Sequence, residues 1–127
     1  KRSSGFRLFR EPGEPGHQRI KLNVGTGTSD SWFDGGAAAD ISSSADWVHI
    51  AFTIAPGRCA VYIDGEVVKE GEFASISWAD CESLSIGSGA PNFTEWNHKS
   101  DLSLIDDLRF FNKALTTEEV SNIFEDN

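Results

Sequence analysis

Residues 47–73, WVHIAFTIAPGRCAVYIDGEVVKEGEF, constrain the fold more than any other part of the chain. Val48, Ile50, Phe52 and Ile54 alternate with Trp47, His49, Ala51 and Thr53, the period-two signature of a strand with one face in a core. The run stops at Ala55-Pro56-Gly57: proline fixes φ and has no amide proton to give, while glycine accepts the positive φ of a turn. Alternation resumes from Cys59 to Ile63, with Val61 and Ile63 on one face and Ala60 and Tyr62 on the other. Asp64-Gly65 then predicts a two-residue hairpin, because a type I′ turn requires positive φ at both central positions. Val67, Val68 and Phe73 carry the return strand. Three strands joined by tight reversals make an antiparallel meander, which needs a second layer over its apolar face.

The rest of the chain must supply that layer. Phe6 to Arg10 alternates and predicts a strand, closed by the turn-rich connector EPGEPGHQ. Ile20 to Val24 predicts a second, with Ile20, Leu22 and Val24 facing one way and Lys21 and Asn23 the other. Residues 25–39, GTGTSDSWFDGGAAA, are rich in small and polar residues and read as a loop. Within it Trp32 and Phe33, flanked by Asp30 and Asp34, form either a lid over the core or a platform for a sugar ring. Residues 83–87 read as another strand, followed by a long loop, 87–101, that carries Asn92, Phe93, Trp96, Asn97 and His98. Residues 102–111, LSLIDDLRFF, read as the last strand. It is partly apolar on both faces and so belongs inside a sheet, with Asp106 buried among leucines and in need of a compensating partner. A helix ends the chain: Thr116 and Glu119 make a capping box, Leu115 and Val120 a hydrophobic staple, and Val120, Ile123 and Phe124 an apolar stripe.

With 127 residues the chain predicts one domain, 1–127, large enough to bury a core without staples. Its 20 acidic residues against 11 basic ones give a formal charge of −9, a field that repels phosphate backbones and argues against nucleic acid as a partner. No apolar run reaches the length of a membrane span, so no membrane insertion by this domain is expected. Cys59 and Cys81 lack metal-site spacing; each stands beside a predicted strand, which leaves a cross-strand bridge open, and the reading taken is two buried free thiols.

Together WVHIAFTI, AVYIDGEVV, LSIGSG and LIDDLRFFNKALTTEEVSNIF occur in one order. In that order they resemble the laminin-G-like, concanavalin A-like jelly-roll family, of the type found at the C-terminus of surface lipoproteins in Bacteroidetes. The resemblance implies an all-β, two-sheet antiparallel β-sandwich with one short C-terminal helix. The Phe-Asp-Gly strand and the tryptophan-ended second strand with which such domains open are not identifiable before Phe6, so the domain is expected to lack them. The family implies a glycan-binding face or rim, and a structural calcium to which Asp106, and next to it Asp107, would contribute. It also implies an extracellular or cell-surface location, on a bacterial outer membrane, and neighbouring domains of a longer chain as partners.

Catalysis is not expected. Glycosidases need two carboxyl groups flanking one bond, and related glucanases place theirs on one strand as Glu-x-Asp-x-x-Glu, a run absent here. Asp64 is explained by its turn, and Asp106 and Asp107, being adjacent, would point to opposite faces of a sheet. His49 reads as a structural histidine. The expected function is therefore non-catalytic, lectin-like carbohydrate binding, with Trp32, Phe33, Asp34, Asn92, Trp96, Asn97 and His98 as the glycan-binding residues. The alternative is a structural or adhesion module that contacts protein with the same aromatics.

Overall fold

The structure, a computed structural model, describes residues 3–98 and 102–126, the side chain of Trp96 excepted. The chain divides into two units, Lys1–Ala79 with Lys113–Asn127, and Asp80–Asn112.

The first unit is a two-sheet antiparallel sandwich with one α-helix. Strands β1 (Phe6–Pro12), β2 (His17–Gly25), β3 (Asp30–Asp34) and β4 (Asp40–Ser42) form one sheet, with β2 paired to the other three. Strands β5 (Ile50–Ala55), β6 (Arg58–Ile63) and β7 (Glu66–Glu72) form the other, in chain order. The meander is as its alternation predicts. Pro56-Gly57 separates β5 from β6, and Asp64-Gly65 separates β6 from β7 with φ of 49° and 80°. The Asp64 carboxylate accepts the His49 amide proton at 2.9 Å, so the turn is tied to the foot of β5. Trp47, expected inside that strand, precedes the ladder and is 63% exposed.

The period-two pattern sorts side chains between layers. Ile20, Leu22, Val24 and Phe33 from the first sheet bury against Cys59 and Val61 from the second. Phe6 and Phe52 join the sheets directly, with ring centroids 5.0 Å apart, and Phe73 meets Phe33 edge-on at 6.1 Å. The opposite face of the second sheet presents Ala60 and Tyr62, which bury Val120 of helix α1 (Thr117–Glu125), with Leu115 packed alongside. Gly65 makes room for that helix: a Cβ there would lie 3.1 Å from the Phe124 ring. Helix α1 begins with the expected capping box. Thr116 Oγ1 accepts the Glu119 amide proton at 3.2 Å, and the Glu119 carboxylate accepts that of Thr116 at 2.8 Å.

Other expectations fail. Residues 25–39 are not a loop: β2 and β3 form a hairpin around Thr26–Ser29, with Phe33 opposite Leu22 and Trp32 opposite Asn23. Asp30, Trp32 and Asp34 alternate with Ser31 and Phe33, a period-two run hidden by its small and polar neighbours. Residues 83–87 and 102–111, in the second unit, carry no ladder among the described residues. Alternation licenses a strand only where a partner strand is bonded to it, and here a kink intervenes. Asp107 lies at a φ of 50°, and its amide donates to Asp106 Oδ1 at 2.9 Å, a local bond that competes with extended pairing. Asp106 is accordingly exposed rather than buried among leucines. Finally, only Cys59 is buried; Cys81 is exposed.

Candidate functional site

The sandwich has two outer faces, and helix α1 lies on one. The other is the outward face of β1, β2 and β3, built by residues that alternate with the core set. In register these are Arg7, Asn23 and Trp32 in one row, and Phe9, Lys21 and Asp34 in the next. Trp32 is 46% exposed. Its ring meets Phe9 edge-on, centroids 5.8 Å apart at 85°, a geometry aromatic pairs favour and one that fixes the indole in place.

Charged groups surround this aromatic pair in matched sets. The Lys21 ammonium donates to Glu11 at 2.7 Å and to Asp34 at 3.1 Å. The Glu11 bond comes first among the causes that hold Lys21 above its ordinary pKa, against the opposing effect of burial. Burial pushes the Asp34 carboxyl up, but the Gly36 amide, donating at 2.8 Å, and Lys21 outweigh it and leave the group below the usual carboxylate range. Arg19 grips Asp40 through Nε at 2.6 Å and Nη2 at 3.0 Å, which is the chief reason Asp40 too lies low. Asn23, fully buried, is satisfied on both sides: its carbonyl accepts from Arg7 and its amide donates to Asp30 at 3.2 Å and to the Ser31 carbonyl at 3.3 Å. Arg7 also lies 3.9 Å from Asp30. An aromatic ring on an ordered, hydrogen-bonding surface can stack on the apolar face of a sugar while its neighbours take the hydroxyls.

The predicted glycan residues are distributed unevenly. Trp32 and Asp34 share this face. Phe33 is 2% exposed and belongs to the core, so it offers no surface to a ligand; strand pleating sends neighbouring side chains to opposite sides. Asn92, Asn97 and His98 belong to the second unit. There the His98 ring stacks on Phe93, centroids 4.8 Å apart at 15°, and the Gly89 amide donates to the His98 carbonyl at 3.0 Å. Asn97 is exposed at a φ of 68°, and Asn92 is exposed with its amide 3.4 Å from Ser83 Oγ. The Trp96 side chain lies outside the described residues. Phe9, Glu11 and Lys21 were missed as site residues: alternation put Lys21 on the polar side of its strand, but Glu11 read as part of a connector, and only the register of β1 on β2 brings the three together.

Asp106 and Asp107 do not fit a calcium centre. Both are exposed, and the Asp107 carboxylate is held in a fork by Arg109, at 3.0 and 2.6 Å. Among the described residues no group of three or more His, Cys, Asp or Glu could hold a metal ion, whereas calcium takes six to eight oxygens.

No helix among the described residues is long and apolar enough to cross a membrane. No curated protein matches the chain in sequence. Its fold is similar to that in the crystal structure of an S-layer domain-containing protein, residues 221–444, from Clostridium thermocellum ATCC 27405, with a TM-score of 0.57 and 21% sequence identity. That match covers 94% of this chain and 63% of the other, so the chain spans less than two thirds of that structure's length. The laminin-G-like family model described as the concanavalin A-like lectin/glucanases superfamily matches residues 2–121. The chain belongs to that superfamily as a laminin-G-like domain, an architecture of sugar-binding and adhesion modules.

Proposed function

We propose that the chain is a non-catalytic carbohydrate-binding module of a secreted or cell-surface protein, and that its glycan lies on the outward face of β1–β3. The observation that carries this reading is Trp32, 46% exposed and braced by Phe9 between ordered hydrogen-bonding groups. The sugar ring stacks on the indole, and Asp34, Lys21 and Glu11 meet its hydroxyls. In the second unit, Asn92, Trp96, Asn97 and His98 are proposed as glycan contacts of that unit by itself. The carboxylates on this face suit binding better than hydrolysis. A glycosidase acid must hold a proton near neutral pH, and Asp34 is instead kept ionised by the Gly36 amide and Lys21.

One observation favours a second reading, an adhesion module that docks on protein. Leu102, Leu104, Phe110 and Phe111 are 94%, 82%, 65% and 51% exposed, more apolar surface than a short segment usually leaves in water. A glycan array probed with the domain, in calcium and again in chelator, separates the two. Binding to a glycan that persists in chelator is expected. An array without any bound glycan, together with capture of a neighbouring domain of the same protein, would establish the adhesion reading instead.

A further inference from the structure

We infer that the Trp32 face selects neutral glycans and rejects acidic ones, reading adjacent hydroxyls through the Lys21–Asp34 pair. The inference rests on the proposed binding reading and narrows it to one chemical class.

Electrostatics decide against anionic sugars. A site for uronate or sulfate presents guanidinium or ammonium groups whose charge is left for the ligand. Among the described residues each cation on the face is already matched: Arg7 with Asp30 and Asn23, Arg19 with Asp40, and Lys21 with both Glu11 and Asp34. Counting these, three cations face four carboxylates, Glu11, Asp30, Asp34 and Asp40, so the face itself is slightly negative. The whole chain carries a formal charge of −9, and a polyanion approaching the face meets repulsion that no unmatched cation among its described residues offsets.

Hydroxyls suit the same groups. An ammonium has three donors, and Lys21 has spent two of them on carboxylates, leaving one. Asp34 accepts the Gly36 amide on Oδ1 and Lys21 on Oδ2, and a carboxylate has further lone pairs on each oxygen. One hydroxyl can therefore donate to Asp34 while its neighbour on the ring accepts from Lys21. Trp32 and Asp34 stand two residues apart on one face of β3, so a single hexose can cover the indole and reach the pair.

Titration calorimetry of the domain with two sets of polysaccharides tests this, at low salt and at about 0.5 M salt, roughly threefold above a physiological level. The neutral set is mannan, galactan and mixed-linkage glucan; the acidic set is heparin, alginate and polygalacturonate. A neutral polymer is expected to bind with an affinity that salt leaves unchanged. Asp34→Asn, checked for an unaltered melting curve, is expected to weaken it by roughly tenfold or more, because the lost bond is charge-assisted. Binding of an acidic polymer that fades with salt would overturn the selectivity and leave the Trp32 site standing. Neutral binding that Asp34→Asn leaves intact would overturn the hydroxyl-reading pair. No binding to either set would remove the glycan reading itself, and this inference with it.

Discussion

Trp32 and Phe33 are neighbours in sequence and opposites in role, because a strand sends consecutive side chains to opposite faces. One is a surface ring, the other part of the core that meets Phe73 and Leu22. The sequence showed an aromatic pair between aspartates but not which ring faced out; that needed the register of β3 on β2. The two cysteines divide in the same way. Burial pushes the Cys59 thiol up to about 11, so at neutral pH it carries its proton and has little nucleophilic thiolate. Cys81 is exposed. A thiol-reactive dye is therefore expected to label one cysteine in the folded protein and two after denaturation. Rapid labelling of both in the native state would contradict the burial of Cys59 between the two sheets. The expectation that both thiols are buried came from their small, apolar character, which says nothing about where a loop leaves them.

Elements were legible where local chemistry and packing agreed. Helix α1 is the clearest case, since Thr116, Glu119, Leu115 and Val120 name its start, its cap and its buried face before any partner is known. Thr116→Ala removes the acceptor for the Glu119 amide and is expected to destabilise the protein by about 1 kcal/mol, read from urea unfolding with an unchanged slope. A loss near zero would mean that packing on Ala60 and Tyr62 holds the helix without its cap. The β5–β7 meander was equally legible because its turns are written in Pro56-Gly57 and Asp64-Gly65. By contrast, β3 was hidden by the glycines and alanines around it, and residues 102–111 looked like a strand while Asp106 and Asp107 bend them locally. In both cases the deciding fact was the presence or absence of a bonded neighbour, which no single stretch of sequence contains.

At the scale of the molecule, helix α1 covers the outer face of one sheet, and the outer face of the other is a charge-matched surface with one exposed indole. The sequence led to the sandwich and to Trp32 and Asp34. It did not assemble the face, because Glu11, Lys21, Asn23 and Trp32 come from three strands whose register only the fold supplies. It also placed a calcium at Asp106 and Asp107 by family resemblance, where both carboxylates are exposed and that of Asp107 is held by Arg109.

The division of labour between the two adjacent rings is the most direct point of attack. Affinity for the array-identified glycan and thermal stability should be measured side by side for Trp32→Ala and Phe33→Ala. Removing the indole is predicted to abolish binding with little change in melting temperature. Removing the buried ring is predicted to lower stability by about 3–5 kcal/mol. Undiminished binding by a folded Trp32→Ala protein would contradict the placement of the glycan on this face.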